Sequence, residues 1–291
     1  MDFDLSLEPH YGVAERLTPR VARLLASNPG PFTFRGTGVY IIGAGESVAV
    51  IDPGPDLPEH VEALKRVLAG RTVSHILVTH SHKDHSPASR PLKAWCGAPI
   101  YGYGPHVETN DVEEGGDRLF VPDVRISDGA LIAGPDFTIT GVFTPGHTSN
   151  HMCYALAEEK ALFTGDHVMG WSTSVIAPPD GNMGDYIRSL EKLIARDDAI
   201  LYPTHGSPIA EPRALLRAYL THRRMREAQI ASCLARDEDT IAAIVARLYA
   251  GLKPALLPAA ALTVRAHLEH MIEDGRVTRH GERYCLPAKA P

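Results

Sequence analysis

Short apolar runs alternate with amphipathic stretches along most of the chain. Val39-Tyr40-Ile41-Ile42 and Ser47-Val48-Ala49-Val50-Ile51 are apolar runs of strand length, and Gly43-Ala44-Gly45-Glu46 between them reads as a hairpin turn. Residues 58–69 place Val61, Leu64, Val67 and Leu68 on one helical face, and Gly70 stops the helix. His75-Ile76-Leu77-Val78 reads as a short buried strand; a helix starting at 86–90 ends before Gly97, and 98–101 reads as a further strand. Downstream, 130–133 and 137–143 read as strands, and 152–156 and 161–163 as a hairpin around Glu158-Glu159-Lys160. Residues 185–196 read as a helix with Tyr186, Leu190, Leu193 and Ile194 inward, and 199–202 as the last core strand. Two regions lack this order. Residues 1–34 read as an irregular arm with one helical stretch over 14–25, interrupted by prolines at 19, 29 and 31. Residues 102–125, rich in Gly, Asp and Glu, read as a mobile loop overhanging whatever site the strands build, with His106 as an exposed histidine.

Beyond residue 210 the pattern changes. A long helix over 213–234 carries Arg213, Arg217, His222, Arg223, Arg224 and Arg226. The usual reading of such a run is a solvated face, and the sharper one is a phosphate-contacting stripe. Two shorter helices, 240–249 and 259–273, flank a Pro/Leu-rich connection at 251–258, and 276–279 with 282–286 reads as a two-stranded wing. Helix, helix and wing look like a winged-helix unit. Its second helix bears His267, Glu269, His270, Glu273 and Asp274, a poor face for phosphates, so the unit is expected to pack on the preceding domain and shape its cleft. The chain therefore divides into an arm (1–34), a large domain (35–210) and the long helix with the winged-helix domain (211–291).

Composition narrows the function classes. A chain of 291 residues that is 44% hydrophobic can fill a large core, and a formal net charge of −6 sets up no global field for nucleic acid. Cys96, Cys153, Cys233 and Cys285 are scattered and read as reduced thiols of a cytoplasmic protein. The start, Met1-Asp2-Phe3-Asp4, does not look like a signal peptide, and no apolar run has the length of a membrane helix.

The chemistry concentrates in Thr79-His80-Ser81-His82-Lys83-Asp84-His85, directly after the 75–78 strand. Residues two apart in an extended segment share a side, so His80 and His82 can face one point, and Asp84 and His85 a second point nearby. Three more candidates recur in turns at strand ends: His147 in Thr144-Pro145-Gly146-His147-Thr148, Asp166 in Thr164-Gly165-Asp166, and His205 in Pro203-Thr204-His205-Gly206. Imidazoles and carboxylates suit zinc, iron or manganese.

Together these motifs resemble the metallo-β-lactamase superfamily of hydrolases over about residues 35–210. The resemblance implies an α+β fold, an αββα sandwich of two sheets flanked by helices, with metals at one edge between the sheets. It implies that His80, His82 and His147 hold one divalent ion, that Asp84, His85 and His205 hold another, and that Asp166 bridges them. It gives Asp52, in Asp52-Pro53-Gly54, a role beneath the metals orienting ligands, and His151 a hydrogen bond near the site; His167 is structural or supporting. Trp171, Ser172, Thr173 and Ser174 either line a pocket or form an ordinary connection. The order of domains, with Asp185-Tyr186, Ser189-Leu190, His222-Arg223 and Arg226-Glu227, is similar to the β-lactamase-like protein 2 branch. Some members of that branch cleave single-stranded RNA, and fungal relatives are thioesterases. Ser81 stands where the RNA-cleaving member has an aromatic residue.

Two metals about 3.5–4 Å apart, most readily zinc, can share one hydroxide and lower the pKa of bound water to about 7. Asp84 or the hydroxide itself would then accept the proton. His82 stands where oxygen-reducing di-iron members carry Glu, which favours hydrolysis, and the Asp166 carboxylate resembles the thioesterase and nuclease branches. The expectation is a dinuclear hydrolase of a small-molecule or acyl thioester or an ester. The alternatives are an endoribonuclease with RNA as partner, and a non-catalytic metal-stabilised binding module. No membrane partner is expected, and oligomeric state is not legible.

Overall fold

The computed structural model describes residues 1–105 and 115–287. In chain order the elements are β1 (Ala14–Arg16), β2 (Val21–Leu25), β3 (Gly38–Ile42), β4 (Ser47–Ile51), α1 (Pro58–Leu68), β5 (Thr72–Leu77), α2 (Ser89–Cys96), β6 (Ile100–Gly102) and β7 (Val124–Arg125). Then come β8 (Leu131–Ala133), β9 (Thr138–Phe143), β10 (Met152–Leu156), β11 (Ala161–Gly165), α3 (Met183–Ile194) and β12 (Ile200–Pro203). The C-terminal part is α4 (Pro212–Leu234), α5 (Ile241–Leu248), α6 (Leu257–Glu273), β13 (Thr278–His280) and β14 (Arg283–Cys285).

Strands β1 to β7 form one sheet in sequence order, and the second sheet runs β12-β11-β10-β9-β8. Alternation along single strands shows why they stack. In β3, Tyr40 and Ile42 enter the core between the sheets, while Val39 and Ile41 face outward to Leu64 and Leu68 of α1 and Leu92 of α2. In β4, Ala49 and Ile51 face inward and Val48 and Val50 outward. Both faces are apolar because both are covered. The second sheet repeats the arrangement. Tyr154 and Phe163 meet Tyr40 between the sheets, and Cys153 and Leu162 pack outward on Tyr186 and Leu190 of α3 and Tyr219 of α4. The result is the αββα sandwich anticipated from the sequence.

The 14–25 stretch is a correction. It is not a helix but β1 and β2, and β2 pairs with β3 over five residues from Val21↔Ile42 to Leu25↔Gly38. Val21 faces the inter-sheet core and Leu24 the outer cluster, a period of two that helix-forming neighbours such as Ala14 and Glu15 obscure. The 102–125 loop is partly a correction too. Its return leg is pinned: Asp117 is buried, its N–H donates to Ser81 O at 2.7 Å, and its Oδ2 accepts from Ser86 and from Arg90, each at 2.7 Å. His106 and the rest of 106–114 lie outside the described residues.

Helices α5 and α6 and the β13–β14 hairpin form the winged helix. Its core joins Ile244, Val264, Leu268 and Tyr284 to Ile230 and Cys233 of α4. One long helix thus belongs to two cores, and Ala266 of α6 reaches the outer core of the second sheet. The unit packs on the sandwich as expected. No helix among the described residues is long and apolar enough to cross a membrane.

Candidate metal centre

Strand β5 ends at Leu77, and the chain then turns across the sheet edge. Asp52, at the end of β4, sets that turn. It is fully buried, adopts φ +49°, and accepts from Thr79 N (2.7 Å), Thr79 Oγ1 (2.8 Å), His85 Nδ1 (2.8 Å) and Thr204 Oγ1 (3.0 Å). One carboxylate therefore ties the 79–85 segment to the end of β12. The ligand-orienting role expected for Asp52 has its geometry here.

Around this anchor the candidate ligands gather in two groups. One ligand atom each from His80, His82, His147 and Asp166 lie within 4.8 Å of one another, and so do those of Asp84, His85 and His205. In the first group His82 Nδ1 lies 2.9 Å from His80 Nε2 and 3.2 Å from His147 Nε2. In the second, Asp84 Oδ2 lies 3.0 Å from His205 Nε2 and 3.3 Å from His85 Nε2. Asp166 spans both: Oδ2 is 3.7 Å from His147 Nε2, while Oδ1 is 3.5 Å from His85 and 3.4 Å from His205. All seven residues singled out in the sequence come together.

The outward nitrogens of four of these five rings have partners. His85 Nδ1 donates to Asp52, His147 Nδ1 to Val175 O at 2.7 Å, His205 Nδ1 to Gly36 O at 3.1 Å, and His80 Nδ1 lies 3.0 Å from Thr79 Oγ1. Each bond occupies the outward nitrogen, so the inward one is the nitrogen free to ligate once it carries no proton. His85 Nε2, His205 Nε2 and Asp166 Oδ1 are buried with no hydrogen-bond partner. Such orphans are costly in a folded protein unless something else satisfies them. A divalent cation fits that need, and the donor set of imidazoles and carboxylates is one that such ions use.

Electrostatics agrees. Burial, with His85, His82 and His147 close by, holds His80 well below the ordinary histidine pKa, and burial with His147 brings His82 down to about 3. Both rings are neutral, as ligation requires. Burial also opposes charge on His85 and His205, yet the carboxylates override it: Asp84 and Asp166 push His85 well up, and Asp166 with Asp84 raises His205. Against the same burial, His85 and His205 hold Asp84 and Asp166 ionised, below the usual carboxylate range. The site wants positive charge, as protons or as a metal.

The supporting residues match the sequence reading only in part. His151 Nδ1 lies 2.9 Å from Thr144 Oγ1, and its ring is 5.1 Å from that of His80. That hydrogen bond lies beside the site, as the sequence reading had it, and the ring backs His80. Asn150, which no motif flagged, is buried and donates to Ser81 Oγ at 2.8 Å and to Gly104 O and Pro105 O at 3.3 and 3.2 Å. Ser174 turns its hydroxyl to Asp166 O at 2.6 Å, so it braces the ligand loop instead of lining a pocket, and Trp171 stacks on Phe34 at 5.1 Å. Arg223, read as part of a charged helix face, is 2% exposed.

A two-sheet sandwich with paired His/Asp clusters at the strand ends defines a metallohydrolase-type architecture. The metallo-beta-lactamase superfamily model matches residues 33–205, and the beta-lactamase associated winged helix domain matches residues 240–284. The chain belongs to the metallo-beta-lactamase superfamily. It is 33% identical over 276 residues to the beta-lactamase-like protein 2 homolog of Caenorhabditis elegans, covering 92% of this chain and 89% of that one. It is 37% identical to lactamase-like protein nscB of Aspergillus fumigatus over 77% of this chain, and the match spans 64% of that relative's length. It is 33% identical to a protein named atrochrysone carboxyl ACP thioesterase from Claviceps purpurea, over 78% of this chain and 69% of the relative. In fold it is similar to a beta-lactamase domain protein from Burkholderia ambifaria (TM-score 0.81, 18% identity, 98% and 97% coverage).

Proposed function

We propose that this chain is a hydrolase with a dinuclear metal centre, acting on a thioester or ester. The observation that carries the reading is Asp166, whose two carboxylate oxygens face two separate clusters of ligand atoms. In this reading His80, His82 and His147 would hold one divalent cation and Asp84, His85 and His205 the other, with Asp166 shared between them. Zinc suits the set best, with iron or manganese as alternatives. Such cations supply Lewis acidity and make water reactive near neutral pH.

The chain's own groups supply the remainder. Asp84 is the more open carboxylate, its side chain 26% exposed against 11% for Asp166, and is the group placed to take a proton from an incoming water. The bonds from His85 to Asp52, His147 to Val175 and His205 to Gly36 keep the rings in register. The thioester preference draws on relatives named as acyl-carrier thioesterases. A cytoplasmic setting belongs to the same proposal and is consistent with four unpaired cysteines. So does the division into an arm (1–34), a hydrolase domain (35–210) and the long helix with the winged helix (211–291).

The test is a screen of metal-loaded protein against acyl-CoA and carrier thioesters, simple esters, lactones, phosphodiesters and RNA, with Asp84→Asn as control. Expected is thioester or ester turnover that falls about 10²–10⁴-fold in the variant while the fold survives. Turnover of phosphodiesters alone, or none at all, would overturn it.

A further inference from the structure

Arg223 lies on α4, remote from every candidate ligand in sequence, yet it is the largest fully buried side chain among the described residues. Its Nη2 donates to Ser174 O at 2.6 Å, and its guanidinium carbon lies 4.9 Å from the centre of the Tyr186 ring. Those two partners lead straight to the metal centre. The Ser174 hydroxyl donates to Asp166 O (2.6 Å) and lies 3.0 Å from His167 O. Tyr186 Oη donates to His167 O, at 2.7 Å. The next carbonyl along, Val175 O, accepts from His147 Nδ1 at 2.7 Å. The 166–175 segment thus carries Asp166 at one end and orients His147 at the other, and Arg223 grips it between them.

We infer that Arg223 is a positioning residue for the metal centre, holding the 166–175 segment so that Asp166 and His147 keep their places. A charge-assisted bond to a carbonyl in a dry setting is among the stronger hydrogen bonds available, and the ring face of Tyr186 supports the same cation. Aliphatic packing alone would not hold a polar loop backbone in one register. Glu227, one turn further along α4, accepts from His270 Nδ1 and from Arg276 Nη1, each at 2.8 Å, and buried His267 sits beside it. The C-terminal unit thereby packs on α4 one turn from Arg223.

This inference rests on the ligand assignment above, and the experiment separates the two. Zinc affinity by chelator competition, the cobalt absorption spectrum, and amide hydrogen exchange of 166–176 in metal-free protein are measured for the full chain, for Arg223→Met and for Arg223→Lys. Wild-type protein that takes up no metal removes the ligand assignment itself. With a metal-binding wild type, Arg223→Met is expected to lose about 10–100-fold in affinity, to shift the cobalt bands, and to exchange faster over 166–176. Arg223→Lys, which keeps the charge but not the planar fork, is expected to fall between, and it carries the test if the methionine variant does not fold. Folded variants with wild-type affinity, spectrum and exchange overturn the positioning role. So would faster exchange with an unchanged cobalt spectrum, which marks a structural residue only.

Discussion

Asp52 Oδ2 and His85 Nδ1 lie 2.8 Å apart, with both side chains wholly buried. Neither atom is a candidate metal contact, yet the bond sets which nitrogen of His85 points into the site. Asp52→Asn tests it. Asparagine tolerates the left-handed φ of +49°, so the backbone is spared. The amide cannot accept at both oxygen positions, and one of its present donors loses its partner. Metal affinity, measured by chelator competition, should fall about 10–100-fold. An unchanged value would remove Asp52 from the ligand-orienting role.

Metal uptake should release protons. Asp84 and Asp166 raise His85 and His205 above the ordinary histidine range, so a metal displaces protons from these two more than from an ordinary histidine. His80 and His82 are depressed and already uncharged near neutral pH, so they release none. The sign follows: affinity climbs with pH until the raised values are passed, and falls as pH drops below them. Calorimetric titration in buffers of different ionisation enthalpy should report net proton release. Zero release, or uptake, contradicts the assignment.

Gly146 precedes His147 with φ +135°, and a Cβ there would meet Tyr186 Cα at 2.3 Å. Backbone strain and a clash with helix α3 act together. Gly146→Ala should destabilise the protein by about 2–4 kcal/mol, read from the urea midpoint. A variant as stable as wild type would mean that the turn relaxes without cost.

Single-stranded RNA should bind weakly. Arg223 is buried on Ser174 O, Arg224 pairs with Glu191, Arg226 lies over Tyr249, and Arg213 donates to Arg196 O. Arg213, Arg217 and Arg224 stay exposed, which fits the solvated face that is the usual reading of such a run, while Arg223 is lost from any phosphate stripe. Fluorescence anisotropy with a labelled oligonucleotide should give a Kd in the non-specific range of about 10⁻⁴–10⁻⁶ M. Submicromolar binding that weakens steeply with salt would restore the nuclease reading.

Part of the molecule was legible early because its signals are local. Strand ends followed by His and Asp, a glycine stop after α1, and the apolar runs of β3, β4 and β5 all lie within short windows. The helix expected over 14–25 failed because pairing with β3, not local propensity, decides that segment. Asn150 and Asp117 were missed because a single buried amide or carboxylate leaves no periodic trace. Their partners Ser81 and Ser86 lie 69 and 31 residues away along the chain.

The residue types at the ends of the strands determined the kind of chemistry, since imidazole and carboxylate spacing is written in the sequence and needs only a strand to present it. Folding alone decided the distances at which Asp166 faces two ways, the donors by which Asp52 joins β4 to β12, and that an arginine from a charged-looking helix ends up dry behind the ligands. Those relations depend on two sheets closing against each other and on a helix shared between two cores. No stretch of sequence encodes them without the packing.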